Sequence, residues 1–207
     1  RGEYLNGLLL SGFLGFAFVD PKDYIFFTED GAFNSEATND ALSARLAETP
    51  NAVVPGFYGA LPNGAIHTFS RGGSDVTGAI VARAAGADLY ENWTDVSGFL
   101  MADPRIVKGA LPIGSITYRE LRELSYMGAT VLHEDSVFPV HRAGIPTNIR
   151  NTNHPEHEGT MITHTTEDFD NPYVITGIAG AFVIKPTGFA GRAPVAGITL
   201  TGVTGFT

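Results

Sequence analysis

The chain has no cysteine, one tryptophan and three methionines among 207 residues. Without thiols it can build neither a disulfide framework nor a thiolate metal site, and no cysteine nucleophile is available. Basic residues are also scarce, with 13 Lys and Arg against 22 Asp and Glu and a formal net charge of −9. Nucleic acids and anionic membranes call for a clustered basic face, so neither partner is expected, and any phosphate must be met by a local device. Long hydrophobic runs are missing too. The longest, residues 8–18, is interrupted by Gly12 and Gly15 and falls short of the ~20 residues that span a bilayer. A cytoplasmic location is the expectation.

What the chain does have is a 43% hydrophobic composition and 25 glycines, enough for the core of one or two globular domains. Helical and extended patterns alternate along most of it. Helices are predicted over 2–16, 35–48, 74–85, 117–126 and 135–142, the last two with Gly128 and Gly144 at their ends. Extended segments are predicted at 24–28, 51–55, 66–69, 89–94 and 146–150. This alternation is that of an α/β domain with a largely parallel sheet. Phe13, Phe16 and Phe18 read as core residues. From Met161 the texture changes, and after Lys185 the chain has no acidic residue and is rich in Gly, Thr and Ala.

Two stretches carry chemistry. In "FSRGGSDVTG", Gly72 and Gly73 stand between Arg71 and the Ser74-Asp75 pair, just ahead of a helical run. Glycines let backbone approach a ligand, and a helix starting at Ser74 aims free N–H groups and its positive dipole end at the same spot. With the arginine this is an anion site; a simple helix cap at Ser74 is the competing reading. In "NWTDVSGFLMADPRIV", a strand end leads into a loop bearing Thr94, Asp95, Gly98, Asp103 and Arg105, and strand ends are where open α/β sheets bind ligands. The histidines of His154-Pro155-Glu156-His157 cannot face one another on a helix broken by proline, so this segment reads as a solvated loop and no metal site is expected. His133 reads as structural.

These stretches, with "ELSYMGATVLH" and "RAGIPTNIRNTNHPEHEGTMI", stand in the order and spacing of a known family. The chain resembles the aspartate kinases of the amino-acid kinase superfamily over about three quarters of its length. The resemblance implies an amino-acid-kinase-like three-layer α/β sandwich with a largely parallel central sheet, a partial catalytic domain over 1–162. The start of a ferredoxin-like ACT regulatory domain, partial or degenerate, would follow over 163–207, where "NPYVITGIAG" looks like its first strand.

It further implies ATP-dependent phosphorylation of the L-aspartate β-carboxylate to 4-phospho-L-aspartate, the first step of lysine, threonine and methionine biosynthesis, with ATP as co-substrate and Mg²⁺ accompanying it. Arg71 and Asp75 would be catalytic. Glu3, Arg71, Gly72, Gly73, Ser74 and Asp75 would bind aspartate; Ser74, Thr94, Asp95 and Arg105 would bind ATP. An amino-acid feedback effector and a homo-oligomer formed through ACT domains are implied as well. The chain departs from the family at Leu100, where a tyrosine is often seen, and at Thr130, where many members have lysine. The family's Lys-Phe-Gly-Gly segment would precede Arg1, so the chain alone is expected to be inactive. The alternatives are a catalytically incomplete kinase-like regulatory or binding module and a kinase for another amino acid.

Overall fold

The computed structural model describes residues 1–70, 72–102, 107–126, 132, 134–165, 173–178 and 181–186. The chain forms two compact units, one of Arg1–Tyr90 with Asp135–Ile145 and one of Glu91–Glu134 with Pro146–Thr207.

The first unit opens with α1 (Gly2–Leu14), stopped by Gly15 in the left-handed conformation at φ 68°, where a glycine is favoured. Short strands β1 (Ala17–Phe18) and β2 (Ala52–Val53) pair in parallel, and between them lies α2 (Ser35–Glu48). The Asn34 side chain accepts from the Ala37 amide at 3.2 Å and caps α2. A hairpin of β3 (Tyr58–Ala60) and β4 (Ile66–Thr68) follows, antiparallel, and then α3 (Gly73–Ala85). Val19, Leu42, Ile80 and Ala84 form the core on which Leu46, Val54, Phe69 and Val76 pack. Completing the unit is α5 (Phe138–Ala143), which packs on α3.

The second unit holds a four-stranded sheet that begins with β5 (Tyr90–Thr94). It continues with β6 (Ser115–Thr117), β7 (Thr147–Asn151) and β8 (Thr160–Thr163), in the order β5-β7-β8-β6. β6 and β8 are parallel, β7 and β8 antiparallel. Helix α4 (Tyr118–Tyr126) follows β6. Its start is a capping box: Thr117 N donates to Glu120 Oε2 at 2.7 Å, and Glu120 N to Thr117 Oγ1 at 3.1 Å. Ile116, Leu121, Ile149 and Ile162 are fully buried there. Strands β9 (Tyr173–Ile178) and β10 (Ala181–Pro186) form an antiparallel hairpin; the residues expected to continue an ACT domain, 187–207, lie outside the described residues.

The α/β class stands as expected, with local corrections. Residues 24–28 form no strand: the Phe26 amide is taken by Thr38 Oγ1 at 2.9 Å, leaving only the isolated bridges Phe26–Ala60 and Phe27–Phe33. The helix expected over 135–142 breaks into a 3-10 turn, Glu134–Val137, and α5, because Pro139 at the start of α5 has no N–H to continue the ladder. Phe13 and Phe16 are exposed, not core. Helix α1 packs through Gly7, where a Cβ would meet the Pro55 ring at 2.6 Å and the Phe18 ring at 3.3 Å, and this leaves Phe13 on an uncovered face. Among the described residues no helix is long and apolar enough to cross a membrane.

Candidate functional site

Each unit presents one part of the expected chemistry. In the first, the chain enters α3 through Gly72, whose φ of 53° is left-handed, and no side chain caps the helix. An uncapped N-terminus presents amide donors and positive dipole to solvent, the arrangement that suits a carboxylate or phosphate. Ser74 is exposed and Asp75 half-buried in that first turn. The Asp75 carbonyl accepts from the Tyr90 hydroxyl at 3.2 Å.

Close packing fixes this turn from below. A Cβ on Gly73 would lie 2.5 Å from the Phe57 ring, so this position requires glycine, and one on Gly56 would press on the Ser74 Cα at 3.1 Å. Phe57 itself has φ 86°, a backbone region that costs a bulky residue of order 1–3 kcal/mol and persists only where its surroundings hold it. The hold is a hydrogen bond from the Phe57 amide to Thr77 Oγ1 at 3.0 Å. Gly56, Phe57 and Thr77 escaped the sequence analysis; the signal available was the glycine pattern of "PGFYG". Ser136, fully buried, stands over Gly72, its Cβ 3.6 Å from where a Gly72 Cβ would be. Glu3 lies exposed in the first turn of α1. Arg71 lies outside the described residues.

In the second unit, Thr94 ends β5, and its carbonyl accepts from both the amide and the hydroxyl of Thr152 at 2.8 Å. Its own hydroxyl donates to the exposed Asp95 carboxylate at 3.2 Å. The loop then turns through Gly98, φ 81°, packed so tightly on β8 that a Cβ would lie 2.4 Å from Thr160 Oγ1. That hydroxyl accepts from the Phe99 amide at 2.8 Å and donates to the Ile113 carbonyl at 2.6 Å. Ser97 is held from β7 by Asn151 Nδ2, which donates to its Oγ at 2.8 Å. The result is an exposed carboxylate on a loop anchored at both ends. Further along, Leu100 bridges Pro112, whereas Asp103, Arg105, Thr130 and His133 lie outside the described residues.

Beside this loop, Arg150 of β7 stacks over Trp93, 4.9 Å from the ring centroid, and pairs with Glu91 at 3.4 Å. Its guanidinium also donates to the backbone carbonyls of Pro155 and His157, at 2.7 and 3.3 Å. The exposed loop that carries His154, Pro155, Glu156 and His157, read from sequence as solvated, is thereby tied to β7.

The profile of the Amino acid kinase family matches residues 1–151. Aspartokinase 3 of Bacillus subtilis is 37% identical over 196 residues, which is 89% of this chain and 43% of that protein. The crystal structure of Clostridium acetobutylicum aspartate kinase superposes with a TM-score of 0.79 at 53% identity, over 86% of this chain and 41% of that one. E. coli aspartokinase III, solved in complex with aspartate and ADP, superposes with a TM-score of 0.73 at 28% identity, over 84% of this chain and 42% of that one. The chain spans about two fifths of the length of these relatives. The matched region takes in both the α3 entrance and the 94–98 loop, and the chain belongs to the amino acid kinase family.

Proposed function

We propose that this protein transfers the γ-phosphoryl group of ATP to the β-carboxylate of L-aspartate, giving 4-phospho-L-aspartate and ADP, and so opens the synthesis of lysine, threonine and methionine. The observation that carries this reading is the uncapped α3 N-terminus entered through left-handed Gly72, with Asp75 in its first turn. It sits within a family match whose relatives are aspartokinases, one of them solved with aspartate and ADP.

Aspartate offers two carboxylates and one ammonium group, so recognition must choose between the carboxylates. Arg71 grips the α-carboxylate through its planar fork, supported by the Gly72 and Gly73 backbone and the helix dipole. Glu3 and Asp75 face the α-ammonium group. A substrate held at both charges leaves its β-carboxylate free. One β-carboxylate oxygen forms a bond to the γ-phosphorus while the bond to the β,γ-bridging oxygen breaks, and ADP departs with that electron pair. Alignment and charge neutralisation do the work, with no protein nucleophile. Thr94, Asp95 and Arg105 line the nucleotide site, and Ser74 can donate to either substrate. Mg²⁺ arrives with ATP as part of the substrate, held by phosphates and water. A feedback amino acid and assembly through ACT domains belong to the same reading of 163–207.

An ADP-release assay on the intact protein with aspartate, with glutamate and without acceptor tests the proposal. Release that depends on aspartate is expected. Equal release with glutamate, or none with aspartate, overturns it.

A further inference from the structure

His154, Glu156 and His157 sit on the loop between β7 and β8. In sequence they lack the i, i+4 spacing of a zinc-binding helix, but the loop is not a helix. The His157 amide donates to the His154 carbonyl at 3.1 Å, closing a turn with Pro155 and Glu156 at its centre, where proline is favoured at the first central position. The turn stacks the two imidazoles, with ring centroids 5.1 Å apart and planes 14° from parallel. Between them, Glu156 Oε1 lies 3.2 Å from His154 Nδ1 and 3.7 Å from His157 Nε2. One donor atom from each residue falls within 4.8 Å of the others.

Two of these separations, 3.2 and 3.7 Å, are close to those of neighbouring metal donors, and rotation of the stacked imidazoles about their side-chain bonds would turn both lone pairs onto one ion. Zinc bonds of about 2.0–2.1 Å in tetrahedral geometry place neighbouring donors roughly 3.3 Å apart. The frame is also built beforehand. Arg150 holds the Pro155 and His157 carbonyls, and Asn151 accepts the His154 amide on its carbonyl at 3.2 Å and the Asn153 amide on its Oδ1 at 2.9 Å. His157 Nδ1 lies 2.9 Å from Ser97 Oγ. That hydroxyl already accepts from Asn151 with one lone pair and has a second for an Nδ1–H, an arrangement that leaves the Nε2 lone pair free for a metal. A hydrogen bond of this kind to the far ring nitrogen is how ligating histidines are oriented.

We propose that His154, Glu156 and His157 form a binding site for one divalent transition-metal ion of the zinc type, and that the bound ion fastens the β7–β8 loop to Ser97 in the loop after β5. Two imidazoles and a carboxylate suit Zn²⁺, Ni²⁺ or Cu²⁺; Mg²⁺ and Ca²⁺ require oxygen ligands and are not bound. The three side chains are 51–65% exposed, so water completes the coordination. The site does not depend on the kinase reading.

The test is calorimetric titration of the chelator-treated intact protein with ZnCl₂, alone and with excess MgCl₂, on wild type and on His154→Ala, Glu156→Gln, His157→Ala and Ser97→Ala. One ion per chain is expected, insensitive to Mg²⁺, with each ligand substitution weakening binding at least tenfold. The side chains are exposed, so melting curves of the metal-free ligand variants should match wild type. Ser97→Ala should also weaken binding tenfold or more, the usual scale for losing the partner of a ligating histidine. Absence of binding, or unchanged binding in a His154→Ala/His157→Ala double variant, overturns the site. Unchanged binding in Ser97→Ala overturns the fastening.

Discussion

The Phe57 amide donates to Thr77 Oγ1 at 3.0 Å, and the same hydroxyl donates to the Gly73 carbonyl at 2.6 Å. One fully buried threonine therefore ties a left-handed phenylalanine to the first turn of α3, the turn on which Ser74 and Asp75 stand. Valine at position 77 would keep the shape and lose both bonds. Leaving the Phe57 N–H unpaired costs about 1–3 kcal/mol. Denaturant unfolding of Thr77→Val should show that loss, while Thr77→Ser should recover most of it; equal stability of the Val and Ser variants would exclude the hydroxyl as the tie.

Gly98→Ala should damage the second unit. Its left-handed backbone and the 2.4 Å approach to Thr160 Oγ1 leave no room for a methyl group. Strain and overpacking together cost about 2 kcal/mol or more. Because Asp95 rides on the same loop, nucleotide affinity should fall along with the unfolding midpoint. A variant with wild-type stability would show that the loop can move away from β8.

Asp95→Ala should separate binding from folding. The side chain is exposed and its one described hydrogen bond is to its neighbour Thr94, so stability should stay within about 0.5 kcal/mol. Apparent ATP affinity should fall more than apparent aspartate affinity. Steady-state kinetics with each substrate varied in turn decide the matter, and an unchanged ATP dependence removes Asp95 from the nucleotide site.

Arg71 carries the sharpest expectation of the proposed function. Arg71→Lys keeps the charge and loses the fork; Arg71→Ala loses both. A charge-assisted hydrogen bond is worth about 1.5–3 kcal/mol, so kcat/KM for aspartate should fall by roughly ten- to a hundredfold or more, with Ala the worse. ATP binding measured without aspartate should hardly change. Equal losses for both substrates with a lowered melting temperature would make Arg71 a brace for the turn.

Features encoded within a few residues were legible in the sequence. Helix α2 begins and ends where its pattern predicts, since Asn34 caps it locally. Gly86 and Gly144 end helices where the pattern predicts, in the left-handed conformation that few other residues tolerate, whereas Gly15 stops α1 at Leu14, short of the end expected at residue 16. The glycine-led entrance to α3 was legible for the same reason; that no side chain caps it was not, since Ser74 offered a cap. Strands β3 and β6, of three residues each, were not, because such short segments are defined by the partner that bonds them and carry little periodicity of their own. The supposed strand at 24–28 failed conversely, when a threonine on α2 took its amide.

Tertiary structure alone decided three further things. Phe57 is left-handed because Thr77, 20 positions away, accepts its amide. Gly98 is indispensable because Thr160, on another strand, lies against it. His154, Glu156 and His157 converge because Arg150, anchored on Trp93 and Glu91, holds the carbonyls of their loop. The physical division is between interactions that close within one turn of chain, which residue order specifies directly, and those that close across distant segments, which come into being only once the sheet has placed the strands.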